Sequence, residues 1–144
     1  MTVLEFVRTW LENSGLMSEF TENNFDYLEG VPEKSGLFSN GTTLMREDIE
    51  GNQKYQASLT FMAGLHAFAD YDRIKNGDFI TRLTYSLNQI RGQEVAELIN
   101  GEEKTGVITG VTGANGMLYS LPTGDINDGV IYQLQIRVDY TVLA

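Results

Sequence analysis

The chain has 144 residues, the length of one ordinary domain, and its 42% hydrophobic and 21% charged residues are typical of a folded protein rather than a disordered one. Its 10 Lys and Arg against 20 Asp and Glu give a net charge of −10, the opposite sign from a protein that grips nucleic-acid phosphates. The sequence contains no cysteine, which excludes disulfides, thiolate catalysis and cysteine-held metal sites.

The N-terminal residues predict a short amphipathic helix. Thr2 and Glu5 have the spacing of a capping box, and Gly15 can take the left-handed conformation that ends many helices. One apolar face repeats at helical spacing and consists of Val3, Leu4, Val7, Trp10 and Leu11. No basic leader precedes an apolar run, and no apolar stretch is long enough to cross a bilayer, so we expect neither a signal peptide nor a membrane span.

Residues 16–52 carry weaker signals. Residues 25–28 favour a short strand, residues 39–41 read Ser-Asn-Gly and favour a turn, and residues 42–46 favour a second strand. Six acidic residues and no basic one lie between Arg8 and Lys34. A solvated acidic surface explains this run, and an interaction surface is the alternative.

Two long stretches alternate apolar and polar residues, from 55 to 65 and from 132 to 142. A period of two over this length predicts a β-strand with one buried face. Both stretches begin with Tyr-Gln, and we expect the two strands to lie side by side and antiparallel in one sheet. The side chains that we assign to the core are Tyr55, Leu59, Phe61, Phe79, Leu134 and Ile136.

A second amphipathic helix follows the first long strand. Phe79 and Leu83 belong to an apolar stripe that recurs every three or four residues, which predicts a helix over about residues 72–91. A short helical stretch over residues 94–100 follows it and ends at Gly101.

The last third of the chain predicts strands and loops. Residues 105–112 and 117–121 favour short strands around a turn at residues 113–116. Residues 122–129 are rich in turn formers and favour a loop. The order of elements predicts an α+β fold, an antiparallel-dominated sheet with two main helices packed on one face, and no domain boundary.

Three features suggest chemistry, and each has a simpler structural explanation. His66 is the only histidine, and neither a catalytic triad nor a set of metal ligands is spaced around it. The glycines of residues 110–116 lack the spacing of a phosphate-binding loop. Residues 125–129 resemble the start of a calcium loop, but the twelfth position is Ile136, where a bidentate Glu is required. We therefore expect no catalytic residue, no cofactor and no metal site.

Three parts of the sequence together carry a resemblance to a known family. They are the strand start Tyr55-Gln56-Ala57-Ser58, the helix start Asp72-Arg73-Ile74-Lys75-Asn76 with Phe79 and Leu83, and the closing strand Tyr132-Gln133-x-Gln135-x-Arg137. In this layout the chain resembles, over nearly its full length, the tail terminator proteins of siphophages, myophages and phage-derived contractile bacteriocins. These are also called tail-completion or minor capsid-type proteins.

The resemblance implies a structural protein rather than an enzyme. It implies one domain over residues 1–144 that assembles into a homo-hexameric ring, caps the tail tube protein and ends tube polymerisation. The ring presents a joining surface to the head connector or the sheath protein, and DNA passes through it without specific binding. The implied location is the virion or a phage tail-like particle, and the host bacterial cytoplasm during assembly. The alternatives are a head–tail connector or other tail-completion ring, and a small ligand-binding or enzymatic α+β domain.

We expect the subunit or tube contacts of such a ring to lie on loops and strand edges. The first candidate is the segment 29–53, with Glu33, Lys34, Met45, Arg46 and Glu47. The next candidates are the predicted hairpin at residues 110–118, with Asn115, and the loop 122–129, with Asp125 and Asp128.

Overall fold

The architecture comes from a computed structural model, which describes residues 1–17, 20, 22–26, 34–65, 70–120 and 130–144. Its elements in chain order are α1 (Val3–Asn13), β1 (Glu22–Phe25), β2 (Lys34–Glu47), β3 (Gln53–Leu65), α2 (Asp70–Leu87), β4 (Glu94–Ile99), β5 (Glu102–Ser120) and β6 (Val130–Val142). His66 and the predicted loop 122–129 lie outside the described residues.

The six strands form one mixed sheet in the order β1-β2-β3-β6-β5-β4. β1 runs parallel to β2, and every other neighbouring pair is antiparallel. The long strands β3 and β6 lie side by side at the centre, paired from Gln53 with Val142 to Leu65 with Val130. The predicted α+β fold and the predicted pairing of the two long strands are confirmed.

One hydrophobic core joins both helices to one face of the sheet. Phe61 on β3 and Leu134 on β6 lie directly opposite each other, and each is at most 1% exposed. The ring of Phe20 packs edge-on against Phe61, with 6.3 Å between centroids, and lies 5.7 Å from the ring of Phe79. All the predicted core residues are buried except Tyr55, which packs against the core but is only partly buried.

The other face of the sheet, which we call the open face, carries the alternate residues of the same strands. No helix among the described residues packs on it, because α1 and α2 both join the core on the opposite side. Its central side chains are mostly neutral and polar, and they are partly or fully exposed: Lys54, Gln56, Ser58 and Thr60 on β3, and Gln133, Gln135, Arg137 and Asp139 on β6.

Helix α1 begins and ends as its sequence predicts. The Thr2 Oγ1 atom accepts a hydrogen bond from the Glu5 backbone N–H at 3.2 Å, and Gly15 follows the helix with a φ of 78°. Helix α2 ends at Leu87, earlier than the predicted residue 91. Its last turn tightens there, because the backbone N–H of Ile90 donates to the carbonyl of Leu87, three residues back.

Two predicted elements have a different structure because strand pairing overrides local preference. The Ser-Asn-Gly sequence at 39–41 makes a β-bulge inside one long strand, where the register shifts between Ser39 and Thr42. Residues 94–100 form β4 rather than a helix, because Asn100 and Gly101 have φ values of 52° and 80° and make a two-residue hairpin to β5. The predicted strand at 25–28 overlaps β1 only at Phe25: β1 lies earlier, over Glu22–Phe25, Asp26 follows it with a φ of 55°, and residues 27 and 28 lie outside the described residues.

The predicted turn at residues 113–116 is also wrong, because β5 runs unbroken from Glu102 to Ser120. The register shifts between Ala114 and Met117, around Asn115, whose φ is 56°. A β-bulge absorbs the extra residues here, so the two short strands predicted on either side are parts of one strand.

Candidate functional site

Two hairpins project from the same end of the sheet. Val142, near the end of β6, pairs with Gln53 on one side and with Gly106 on the other. The β2–β3 turn and the β4–β5 turn therefore rise on either side of the end of β6. We call this region the fork end, and it comprises residues 44–55, 94–107 and 142–144 with the adjoining Met1.

The β2–β3 turn is built around Asp48. The Asp48 Oδ1 atom accepts hydrogen bonds from the backbone N–H groups of Glu50 and Asn52, both at 2.9 Å. Desolvation raises the pKa of the Asp48 carboxyl, but hydrogen bonds from Asn52, Glu50 and Gly51 together outweigh it and hold the pKa below its usual value. The Ala144 N–H donates to the Asn52 Oδ1 atom at 3.0 Å, which ties the turn to the end of β6.

Tyr140 packs beneath the fork end, on the core side of the sheet. Its ring stacks on Tyr55 with 5.6 Å between centroids, and its side chain is 6% exposed. Burial raises the pKa of the Tyr140 phenol to about 12, with the Glu97 carboxylate adding to the effect and a hydrogen bond with Thr42 opposing it. The Glu97 Oε1 atom also accepts a hydrogen bond from the Val3 N–H at 2.8 Å, so β4 is fastened to the start of α1.

We expect the protein to lose stability between pH 10 and pH 12 through Tyr140. The pKa of this phenol is higher in the folded protein than in the unfolded chain. The contribution of Tyr140 to the free energy of unfolding is therefore complete below pH 10 and is lost progressively as the pH rises to about 12. A shift of this size corresponds to about 2–3 kcal/mol at pH 12. Urea unfolding from pH 8 to pH 12 measures this loss of stability. We expect Tyr140→Phe to make the free energy of unfolding fall less steeply with pH, and the control Tyr85→Phe, at an exposed tyrosine, to leave the fall unchanged. Equal falls in both variants would contradict the assignment.

Exposed apolar side chains concentrate at the fork end. Nine large apolar side chains are exposed among the described residues, and six of them belong to this end. Ile49, at the tip of the β2–β3 turn, is completely exposed, and Leu98 on β4 is 72% exposed. A region that gathers most of the exposed apolar side chains of a folded protein is a candidate interaction site. The six are Met1, Leu44, Met45, Ile49, Leu98 and Leu143.

The fork end also holds a high density of charge. Arg46 on β2 and Lys54 on β3 lie directly opposite each other, and both are exposed. Together with Met45, Tyr55, Thr109, Asp139 and Tyr140 they line a groove of about 340 Å³. The acidic residues at this end are Glu47, Asp48, Glu50, Glu94, Glu97, Glu102 and Glu103, and the third basic residue is Lys104.

The structure separates the residues predicted for the interface. Met45, Arg46 and Glu47 lie together at the fork end, whereas Lys34 lies at the opposite end of the same strand, roughly 35 Å away at about 3.3 Å per residue. The Asn115 side chain, on β5, donates a hydrogen bond to the Gln135 Oε1 atom at 2.9 Å. Glu33, Asp125 and Asp128 lie outside the described residues.

Sequence reasoning singles out only Met45 among the six. Leu44 and Ile49 fall within the predicted segment 29–53 but are not named, and Met1, Leu98 and Leu143 are missed. The sequence predicts a helix at Leu98, so it does not place this residue on a hairpin at the same end of the sheet as the β2–β3 turn. The pair Asn100-Gly101 was the available signal, since Asn-Gly between two extended runs is a strong indicator of a tight hairpin.

The described residues contain no group of three or more His, Asp or Glu side chains placed to hold a metal ion. Within the same residues, neither helix is long and apolar enough to span a bilayer. Comparison with protein-family models and with curated proteins finds no match to this chain.

Proposed function

We propose that this chain is a non-enzymatic subunit of a phage tail or tail-like particle, which assembles into a ring and caps the tail tube through its fork end. The cap ends tube polymerisation, and the opposite surface of the ring joins the head connector or the sheath. The observation that carries the proposal is the gathering of six exposed apolar side chains at one end of the sheet, four on its two hairpins and two, Met1 and Leu143, on the adjoining chain ends.

Burial of these side chains against a partner supplies the binding energy. Removing an apolar side chain at the tip, such as Ile49, from water contributes about 1.5–3 kcal/mol. Copies joined in a ring engage the tube together, so modest affinity per subunit becomes strong attachment of the whole ring.

The open face supports the ring arrangement. Its centre presents neutral polar side chains such as Gln56, Ser58, Thr60 and Gln135. A surface of this kind can line a water-filled channel. It neither binds the DNA backbone through a dense row of cations nor repels it through a dense row of acids. The net charge of −10 therefore lies mainly elsewhere, on the fork end and on the N-terminal acidic run.

Deletion of the gene from its parent element, followed by electron microscopy of the particles, tests the proposal. Tails that exceed the normal length and have ragged ends are the expected result. Tails of normal length that lack heads would support the head–tail connector instead. Normal particles would reject a structural role and turn attention to a ligand-binding domain.

The fork end is tested by complementing the deletion with Ile49→Asp. A charge at the tip of the β2–β3 turn removes the apolar contact, and we expect the fraction of capped tubes to fall about tenfold or more. The matched control is Ile74→Asp on α2, where the side chain is 64% exposed but distant from the fork end. If both variants restore normal tail lengths, the β2–β3 turn does not contact the tube.

A further inference from the structure

One row of residues crosses the open face from one edge of the sheet to the other. Successive pairings join Arg46 to Lys54, Lys54 to Thr141, Thr141 to Val107, and Val107 to Glu94. The row begins with a cation on β2 and ends with a carboxylate on β4. Both ends lie at edges, since β4 is the last strand of the sheet and β1 pairs only with residues 34–37 of β2.

Neither end of this row forms an ion pair within the described part of the subunit. Arg46 and Lys54 face each other, and like charges directly opposite on neighbouring strands destabilise a sheet. Arg46, Lys54 and Glu94 are all exposed, and none of them forms an ion pair with another described residue. The groove beside Arg46 and Lys54 holds one carboxylate, Asp139, against these two cations. A second carboxylate would balance the charge, and the chain carries one at the far end of the same row.

We infer that the Arg46 edge of one copy binds the Glu94 edge of a second copy, side by side, within the ring proposed above. The Glu94 carboxylate of the second copy then continues the row beside Arg46 and Lys54. Each edge also carries an exposed apolar side chain, Met45 beside Arg46 on β2 and Leu98 four residues beyond Glu94 on β4, and both become buried in the contact. The occupant of each edge is thus a copy of this chain.

The position of the two edges allows the contact to close into a ring. A contact between two different surfaces repeats from copy to copy, and it closes only if each copy adds no rise along the axis. Arg46 and Glu94 belong to the same row of paired residues. A copy added at the β4 edge therefore continues this row, and the twist of the sheet supplies a rotation between successive copies.

Side chains rather than a continuous backbone ladder form this contact. The Ala96 N–H on the outer side of β4 already donates to the Met1 carbonyl at 2.9 Å. The outer edge of β2 is irregular, because its register shifts between Ser39 and Thr42 and again between Leu44 and Arg46. Bulges of this kind prevent indiscriminate strand addition, so charge and apolar fit select the partner.

Thiol crosslinking tests the contact directly, because the chain has no cysteine of its own. The variant Met45→Cys/Ala96→Cys keeps Arg46 and Glu94 and places one thiol on each edge. With a short bis-maleimide we expect a ladder of covalent oligomers that stops at a closed ring, six copies in the proposed function. The matched control, Met117→Cys/Ala96→Cys, moves one thiol to β5 away from the fork end, and we expect at least tenfold less product. Equal or absent ladders in the two variants would overturn the inference.

Charge exchange in the same crosslinking variant tests the row itself. Arg46→Glu alone and Glu94→Arg alone each place like charges together between copies, and we expect each to reduce the ladder about tenfold or more. The two changes combined restore opposite charges and are expected to recover most of it. Failure of the combined variant to recover, with both single variants folded, would show that Arg46 and Glu94 do not meet.

The crosslinking result and the tail-length result are independent. A ladder of crosslinked oligomers that stops at one size, together with tails of normal length in the deletion strain, would support the contact between subunits and reject the capping function. Overlong tails together with no crosslinked ladder would support the capping function and reject this contact between subunits. An open-ended ladder would also overturn the inference, because the row then fails to close a ring.

Discussion

Replacement of Phe61 by Ala is expected to lower the free energy of unfolding by about 3–5 kcal/mol, the range for a large aromatic side chain removed from a well-packed core. Phe61 lies at the centre of β3 and is 1% exposed. It pairs with Leu134 on β6 and with Leu37 on β2, and it meets the ring of Phe20 edge-on. No neighbouring strand can move into the space without breaking its own pairing, so a cavity remains.

Urea denaturation at neutral pH measures the Phe61→Ala effect. The matched control is Tyr85→Ala, which removes a ring that is 66% exposed on α2 and is expected to change stability by less than about 0.5 kcal/mol. A loss below about 1 kcal/mol for Phe61→Ala would mean that this residue faces solvent and that the register of the central strands is shifted by one residue.

Replacement of Gly116 by Ala is expected to lower the free energy of unfolding by about 1–3 kcal/mol, through overpacking. A Cβ atom at Gly116 would lie 2.4 Å from the Ile80 Cγ2 atom and 3.3 Å from the Leu134 Cδ1 atom. The Ile80 methyl group sits on a β-branched side chain that is buried, so it cannot rotate away without strain. Either α2 or β5 must then move.

Gly77 provides the matched control for Gly116. It lies inside α2, and a Cβ atom there would meet nothing within 4 Å. Gly77→Ala is therefore expected to raise stability by about 0.5–1 kcal/mol, through better helix propensity and a smaller loss of backbone entropy. Calorimetric melting of the two variants should move in opposite directions. If Gly116→Ala is neutral, α2 does not pack as closely on β5 as the structure indicates.

The two proposals assign different directions to the two kinds of contact. The tips of the hairpins, with Ile49, point along the strands and meet the tube. The edges of β2 and β4, with Arg46 and Glu94, point across the strands and meet neighbouring copies. Mutations at the tip should leave the crosslinked ladder intact, whereas charge changes at the edges should disrupt both the ladder and the cap.

The elements whose signal lies within one stretch of sequence could be predicted. The period of two in β3 and β6 reports which side chains are buried, and burial on one face is sufficient to define a strand and its register. The Thr2 cap and the Gly15 stop of α1 act on backbone groups only three or four residues away. These signals predicted the α+β class and the central strand pair.

The glycine-rich part of β5 shows what local sequence leaves open. The missing Cβ of Gly113 and Gly116 suits a tight turn, and it equally suits a strand over which a helix packs closely. The structure uses the second property, since a Cβ on either residue would press on Thr84 or Ile80 of α2. Nothing near these glycines in the sequence indicates that a helix more than 25 residues away will lie over them.

Residues 94–99 and the fork end depend on tertiary structure in the same way. The sequence Glu-Val-Ala-Glu-Leu-Ile has helix-forming residues, but its backbone groups find partners on β5, and strand pairing outweighs a weak local preference. The placement of Ile49, Leu98 and Leu143 at one end follows only when both hairpins are set on the same sheet. Composition and periodicity therefore determined which residues are buried, whereas the approach of distant segments decided where the exposed ones gather, because that choice depends on contacts between residues far apart in the chain.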